Sequence, residues 1–405
     1  QGTPEGQEAE AILRKCVHCG FCTATCPTYQ LLGDELDGPR GRIYLMKQVL
    51  EGAEPTRATQ QHLDRCLTCR NCESTCPSGV QYGHLVDIGR KLVDAKVPRP
   101  LGEKVVRWAL KEGLPSPLFA PAMKLGQLMR DVLPASLKAK VPARQDAGAW
   151  PTRTHARKVL MLAGCVQPSM SPNINFATAR VLDACGIQAV IAPEAGCCGA
   201  VKFHLNDQDG GTAQMRANID AWWPLVENGE VEAIVVTASG CGVQVKDYGH
   251  LLKDDPAYAG KAARVAAMTR DPAEVLAAEA PALQSVMLPC RGDAPAKKLA
   301  FHAPCSLQHG QRIRGVVEGL LQSAGYALVS VPDAHLCCGS AGTYSLLQPS
   351  LSRRLRDDKL AALEAGQAER IASANIGCIM HLRTGASLSV QHWIELIDEK
   401  ITNMS

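Results

Sequence analysis

Cys16-Val17-His18-Cys19-Gly20-Phe21-Cys22-Thr23-Ala24-Thr25-Cys26-Pro27 is the stretch on which the reading of this chain turns. Its spacing, C-x2-C-x2-C-x3-C-P, returns in Cys66-Leu67-Thr68-Cys69-Arg70-Asn71-Cys72-Glu73-Ser74-Thr75-Cys76-Pro77. These two runs hold eight of the 18 cysteines, and the other ten are scattered from Cys165 to Cys378. At about 4% of 405 residues, cysteine is too sparse for a small disulfide scaffold, and the two populations need separate explanations.

Three cysteines at x2 spacing wrap three thiolates and nearby backbone N–H groups around one cubane. The fourth, before proline, points to a second one. This is the bacterial ferredoxin run for [4Fe–4S] clusters. It assigns one cluster to Cys16, Cys19, Cys22 and Cys76, and the other to Cys66, Cys69, Cys72 and Cys26. Two structural zinc sites are the alternative, but the repeated three-cysteine run with Cys-Pro argues against them. Crossed ligation joins residues about 50 positions apart and predicts a domain whose folding depends on its clusters. Between the runs, Gly41 to Leu50 reads as a helix with Ile43, Met46, Val49 and Leu50 on one face, so this domain is expected to be all-α. Arg14, Lys15, Arg40, Arg42, Arg65 and Arg70 flank the ligands, either as surface charge or as cations that raise cluster potential.

Further along, residues 98–157 contain no cysteine and eight prolines. Helical stretches are expected at Leu101 to Lys111 and Leu118 to Leu133. The remainder repeats itself. Val159 to Leu162 and Lys298 to Phe301 read as strands leading to Cys165 and Cys305. Thirty-two residues after each comes Cys-Cys-Gly, at Cys197-Cys198-Gly199 and Cys337-Cys338-Gly339. A third strand in each half, Ala233 to Val236 and Ile371 to Ala374, leads to Cys241 and Cys378. Helical stretches such as Asn173 to Ala184 and Val316 to Ala324 separate the strands, giving two βαβαβ units. Parallel strands place their C-terminal ends along one edge, so each set of four cysteines can converge there. The expected architecture is α+β and multidomain. It comprises a helical two-cluster domain over 1–97, a Pro-rich helical linker over 98–157, and α/β repeats over 158–290 and 291–405.

The charge balance, 43 basic against 40 acidic residues, does not suggest a nucleic-acid partner. No apolar run reaches the length of a membrane span, and Gln1 to Glu10 lacks the apolar core of a signal peptide. A cytoplasmic setting is expected, in which clustered cysteines bind metal rather than pair. No Gly-x-Gly-x-x-Gly turn follows a strand, so electrons are expected from a cofactor on a partner. Cys185 is expected in the core, and Cys290 is given no role. His302, His309, His335 and His381 are read as packing or hydrogen-bonding residues.

The Cys-Cys-Gly repeats resemble the cysteine-rich family found in heterodisulfide reductase and in iron–sulfur subunits of flavin-linked 2-hydroxyacid and glycerol-3-phosphate dehydrogenases. In heterodisulfide reductase such repeats hold noncubane iron–sulfur clusters, and the fuller pattern ends in Cys-x-x-Cys. Here the endings are Cys241-Gly-Val-Gln244 and Cys378-Ile-Met-His381, and Ala303 stands where some relatives carry another cysteine. Three readings of Cys165, Cys197, Cys198 and Cys241, and of Cys305, Cys337, Cys338 and Cys378, stay open: a further iron–sulfur or metal centre, a docking remnant, or thiol–disulfide catalysis.

Over nearly the whole chain the sequence resembles the glycolate oxidase iron–sulfur subunit family. The resemblance is carried by Cys16 to Pro27, Leu31 to Arg42, Asp64 to Cys72, Glu194 to Ala200, Asp220 to Pro224, His335 to Tyr344, Ala374 to Cys378 and His392 to Leu396. It implies a non-catalytic electron-transfer subunit of a three-subunit 2-hydroxyacid oxidoreductase. A FAD-bearing partner would oxidise glycolate to glyoxylate, or D-lactate, with a second flavoprotein-like subunit beside it. Electrons would pass through the two cubanes to a quinone or other acceptor. The resemblance also implies a peripheral place on the inner face of the membrane.

Overall fold

A computed structural model describes residues 2–134, 138, 140–287 and 296–402. Cys290 and the expected boundary between the two repeats lie outside the described residues.

Prolines and caps start the N-terminal helices. Helix α1 (Pro4–Arg14) begins with proline, and the Thr3 hydroxyl accepts the Gly6 N–H at 3.1 Å. Helices α2 (Pro27–Leu32) and α3 (Pro39–Leu50) also start on proline. A Thr56–Thr59 capping box starts α4 (Arg57–Asp64). The short α5 (Asn71–Thr75) and longer α6 (Tyr82–Lys96) complete this unit. Ala9, Ile12, Ile43, Met46, Leu63, Leu85, Val86 and Val93 form its core. The expected helical domain is therefore present, and its apolar face at Ile43, Met46 and Val49 is buried.

The Pro-rich segment carries α7 (Leu101–Gly113) and α8 (Phe119–Leu128). The expected helix from Leu118 to Leu133 ends at Leu128, and Arg130–Val132 continues as a 3-10 turn. Arg99 ion-pairs with Asp64 at 2.6 Å and Arg107 with the same carboxylate at 3.1 Å, tying the segment to the N-terminal unit. On their outer sides Leu101, Val105, Trp108, Leu118, Leu125, Leu128 and Val132 are exposed. No helix among the described residues is long and apolar enough to cross a membrane.

Both repeats fold as four-stranded parallel sheets. The first has the order β2-β1-β3-β4, from β1 (Arg157–Met161), β2 (Ile187–Val190), β3 (Ala233–Val235) and β4 (Thr269–Arg270). The second has the order β6-β5-β7-β8, from β5 (Lys298–His302), β6 (Ala327–Leu328), β7 (Arg370–Ser373) and β8 (Ser389–His392). The three-strand reading missed β4 and β8. Strand β4 has only two residues, and β8 reads Ser-Val-Gln-His, with a single apolar position. The register places Val159 beside Ala189 and Ala233, and Leu299 beside Leu328 and Arg370.

The repeats pack reciprocally. Helix Asn173–Ala184 of the first lies on helix Trp393–Thr402 of the second, and helix Val316–Ser323 lies on helix Pro272–Ala278. Arg180 pairs with Asp398 at 2.6 Å across the first of these contacts. His392 is wholly buried at the seam: its Nε2–H donates to the Thr237 carbonyl at 3.1 Å, and Nδ1 accepts the Ile394 N–H at 3.2 Å. The Nδ1 acceptor role needs a neutral ring, and burial pushes His392 down to about 4. In the unfolded chain the ring takes its proton near pH 6.5, so stability held above that pH is lost as pH falls toward 4. The slope is up to about 1.4 kcal/mol per pH unit. Urea unfolding from pH 7 to 4 should show this loss, and His392→Gln should reduce the proton uptake by one.

Candidate functional site

The two N-terminal runs are built alike. His18 and Gly20 in the first, and Thr68 and Arg70 in the second, have left-handed backbone at matched places. Each run therefore coils instead of continuing as a helix. Cys26 and Cys76 are extended (φ −88° and −74°), as expected before proline, and this turns each fourth cysteine out of its own coil.

Two cavities result. One is lined by Cys16, Cys19, Cys22, Cys76 and Cys72. The other is lined by Cys26, Cys66, Cys69 and Cys72. Burial, then the neighbouring sulfurs of Cys16, Cys19 and Cys76, pushes the Cys22 thiol up to about 11. Burial also raises Cys72, with Cys69, Cys66 and Cys26 as its sulfur neighbours. Cys72 thus belongs with the second cavity. Four soft donors per cavity, at one run's first three positions and the other run's fourth, fit a [4Fe–4S] cluster in each.

Two arginines govern the second cavity. Arg42 is 1% exposed. Its Nε donates to the His62 carbonyl at 2.7 Å, its Nη1 to Thr28 Oγ1 at 3.1 Å, and its Nη2 lies 3.4 Å from Asp37. Arg90 donates to the Leu63 carbonyl at 2.9 Å, the Cys66 carbonyl at 2.5 Å and Thr68 Oγ1 at 2.8 Å, gripping the turn that carries Cys66. Burial alone would raise Cys66, but the charges of Arg42 and Arg90 bring it below the ordinary thiol range. Nothing in the sequence marked Arg90, which lies on α6 away from both runs.

Each later set of cysteines also converges. Cys165, Cys197, Cys198 and Cys241 are electrostatic neighbours in turn, each shifting the thiol of the next. In the second set Cys305 Sγ donates to Cys337 Sγ at 3.8 Å, and Cys338 and Cys378 continue the row of thiol neighbours. The glycines after the pairs explain the motif. Gly199 and Gly339 have φ of +89° and +82°, and an added Cβ would lie 2.7 Å from the Gly211 carbonyl oxygen and 2.6 Å from that of Ser352. Only glycine lets each cysteine pair turn so tightly against the helix that carries Gly211 or Ser352. Hydrogen bonds from Cys165 and Cys198 lower Cys197. In the second set Cys305, Cys337 and Cys338 are all raised, the opposite of what a thiol nucleophile needs.

The second set meets the N-terminal unit directly. Cys69 packs with Cys305, Cys337, Leu67, Tyr344, Leu351 and Leu355. Burial and the sulfur of Cys305 both raise Cys69. Asn71 Nδ2 donates to the His335 carbonyl at 3.1 Å, and Ser74 Oγ shares a hydrogen bond with His309 Nδ1 at 2.8 Å. The first repeat is held instead by the Arg70–Asp247 pair at 2.9 Å and by His250, stacked on His84.

A family model described as a 4Fe-4S dicluster domain matches residues 12–80, and one described as a cysteine-rich domain matches 159–246 and 299–383. The chain is 57% identical over 396 residues to the glycolate oxidase iron-sulfur subunit of Escherichia coli (strain K12), covering 97% of this chain and 95% of that protein. It belongs to the glycolate oxidase iron–sulfur subunit family. A probable glycolate oxidase iron-sulfur subunit of Bacillus subtilis (strain 168) is 33% identical, covering 93% of this chain and 89% of its own. Lactate utilization protein A of Bacillus velezensis is 27% identical over 60% of this chain and 100% of its own length. The family accounts for the expected order of a dicluster region followed by two cysteine-rich repeats. Of the four histidines read as packing residues, His309 shares hydrogen bonds with Ser74 and the His335 carbonyl, and His381 with Ser352. His302, also buried, shares a hydrogen bond of 2.9 Å with Ser373 Oγ. A ring nitrogen of His302 and the sulfurs of Cys338 and Cys378 all lie within 4.8 Å of one another. Cys185 is half-buried against the core.

Proposed function

We propose that this chain is the electron-transfer subunit of a glycolate-oxidising complex. The observation that carries the reading is the pair of cysteine-lined cavities in a chain 57% identical to a glycolate oxidase iron-sulfur subunit. Cys16, Cys19, Cys22 and Cys76 hold one [4Fe–4S] cluster, and Cys66, Cys69, Cys72 and Cys26 the other. When bound, these clusters supply single-electron transfer. The chain's own residues set their surroundings: Arg42 and Arg90 offset thiolate charge, and Leu67 and Tyr344 exclude water beside Cys69. Substrate oxidation belongs to a FAD-bearing partner, with a second flavoprotein-like subunit and a quinone or other acceptor completing the path. The Cys-Cys-Gly sets hold a further centre.

The reading includes a peripheral place on the inner membrane face. It is supported by the exposed apolar sides of α7 and α8 in a segment, 98–157, with eleven Lys and Arg against four Asp and Glu. Purified chain should be unable to oxidise glycolate by itself. Adding the flavoprotein partner and glycolate anaerobically should bleach the cluster absorbance and produce low-temperature EPR signals of reduced [4Fe–4S]. Glycolate oxidation by the isolated chain, or clusters that stay oxidised with the partner present, would refute it. Recovery of the whole complex in the soluble fraction at low salt would refute the membrane placement alone.

A further inference from the structure

Helix α6 turns one face toward the second cavity, and that face carries two groups that reach Cys66. Tyr82, Val86 and Arg90 follow one another at four-residue spacing, so they lie along the same side of the helix, and all three are buried. Arg90 holds the carbonyls of Leu63 and Cys66. Tyr82, the first residue of the helix, reaches the sulfur itself: its Oη–H donates to Cys66 Sγ at 3.7 Å. The Thr68 N–H donates to the same sulfur at 3.4 Å. One ligand sulfur therefore has a backbone donor from its own turn and a side-chain donor from another element.

The place of the ring matters as much as the bond. Pro39, Cys72 and Tyr82 line both cavities. Of these three, only Tyr82 has a polar side chain that is not itself assigned as a ligand. Its ring forms part of the wall between the two sites, and its hydroxyl is committed to one side of that wall. Tyr82 is 3% exposed and Cys66 8%. Water cannot replace a lost donor at such depth, so the bond counts for more here than at the surface. Six residues past the last cysteine of the first run, where the second run has Tyr82, stands Leu32. Leucine has no hydroxyl to offer, so the two runs differ at this place although their cysteine spacing is the same.

We infer that Tyr82 is a positioning residue for electron transfer: its ring partitions the two clusters, and its hydroxyl raises the potential of the cluster on Cys26, Cys66, Cys69 and Cys72 alone. Reduction adds one negative charge to a cluster, and the ligand sulfurs share it. A hydrogen-bond donor on one of those sulfurs favours the reduced form over the oxidised form and so raises the potential. In the exchange one cluster loses one electron and the other gains it. The phenol keeps its proton and is neither oxidised nor reduced. Its bond shifts the sharing of that electron toward the cluster whose ligand Cys69 packs on the second repeat.

The inference rests on the reading that these cysteines hold two [4Fe–4S] clusters, and the test separates the two. Full-length chain is loaded anaerobically with iron and sulfide, its iron is counted, and it is titrated to reduction by EPR. Tyr82→Phe should keep about eight irons per chain and move one of two one-electron waves to lower potential. At fixed potential the reduced-to-oxidised ratio of that cluster should fall roughly three- to tenfold, tenfold being about 59 mV for one electron. Two backgrounds assign the wave. Cys16→Ser with Cys19→Ser leaves only the cluster at Cys66, where Tyr82→Phe should lower the potential. Cys66→Ser with Cys69→Ser leaves only the other, where it should not. A change below roughly twofold, an equal shift of both waves, or a shift confined to the cluster at Cys16 would overturn the role of Tyr82 and keep the clusters. Wild type without [4Fe–4S] signals would overturn both. Should Tyr82→Phe fail to assemble, 3-fluorotyrosine in place of Tyr82 decides, being a stronger O–H donor of nearly the same size. The wave of the cluster at Cys66 should then rise, and a wave that stays or falls overturns the inference.

Discussion

Combining Cys26→Ser with Cys66→Ser should remove one cluster and spare the other, leaving about four irons per chain. Combining Cys26→Ser with Cys19→Ser should damage both and leave no unperturbed [4Fe–4S] signal by EPR. The contrast follows from where the fourth cysteines point. Cys26 follows Cys22 closely in sequence, yet it lines the cavity of Cys66, Cys69 and Cys72 and is absent from the lining of the other. Its sulfur lies 3.3 Å from Thr28 Oγ1, on the Arg42 side of the unit. If each run held its own cluster, the two double variants would exchange their outcomes. Because the clusters would add crossed links between the two runs, the variant lacking both should also unfold less cooperatively.

Arg42→Met should be among the most damaging substitutions that leave all the cysteines in place. Arg42 and Asp37 are both 1% exposed. Removing the guanidinium strands a buried carboxylate, though His62 and Arg65 still reach Asp37 at 3.0 and 2.8 Å. A loss of about 3–5 kcal/mol is expected, at the lower end because of those remaining partners. The second effect is electronic. Arg42 and Arg90 are the cations that draw Cys66 below its ordinary range, so taking one away should lower the potential of the cluster at Cys26, Cys66, Cys69 and Cys72. Denaturant titration of the cluster-loaded chain reads the first effect, and redox titration by EPR reads the second. Stability within about 0.5 kcal/mol of wild type would refute the buried-pair argument.

How much of this could be read beforehand depended on how far each signal was local. The cysteine runs encode their own geometry through spacing and the prolines that follow. The six strands expected in the repeats were apolar enough to stand out. Strands β4 and β8 exist because neighbouring strands recruit them: Thr269 pairs with Ile234, and Val390 with Ile371. Nothing in Thr-Arg or Ser-Val-Gln-His requires extension. Arg90 was silent for the same reason, since its partners are carbonyls 24 and 27 positions away.

The reciprocal packing of the two repeats has a geometric sequel. Duplication with reciprocal packing of equivalent helices gives a near-twofold object, whose two halves begin with equal surroundings. A single N-terminal body laid across such an object cannot respect its axis. Here Cys69 leans on one half, and Arg70, the very next residue, reaches the other. Once that body is seated the halves experience different neighbours, and selection can act on each separately. Docking thus turns a copy into a division of labour, with one half placed beside a cluster and the other left free to diverge.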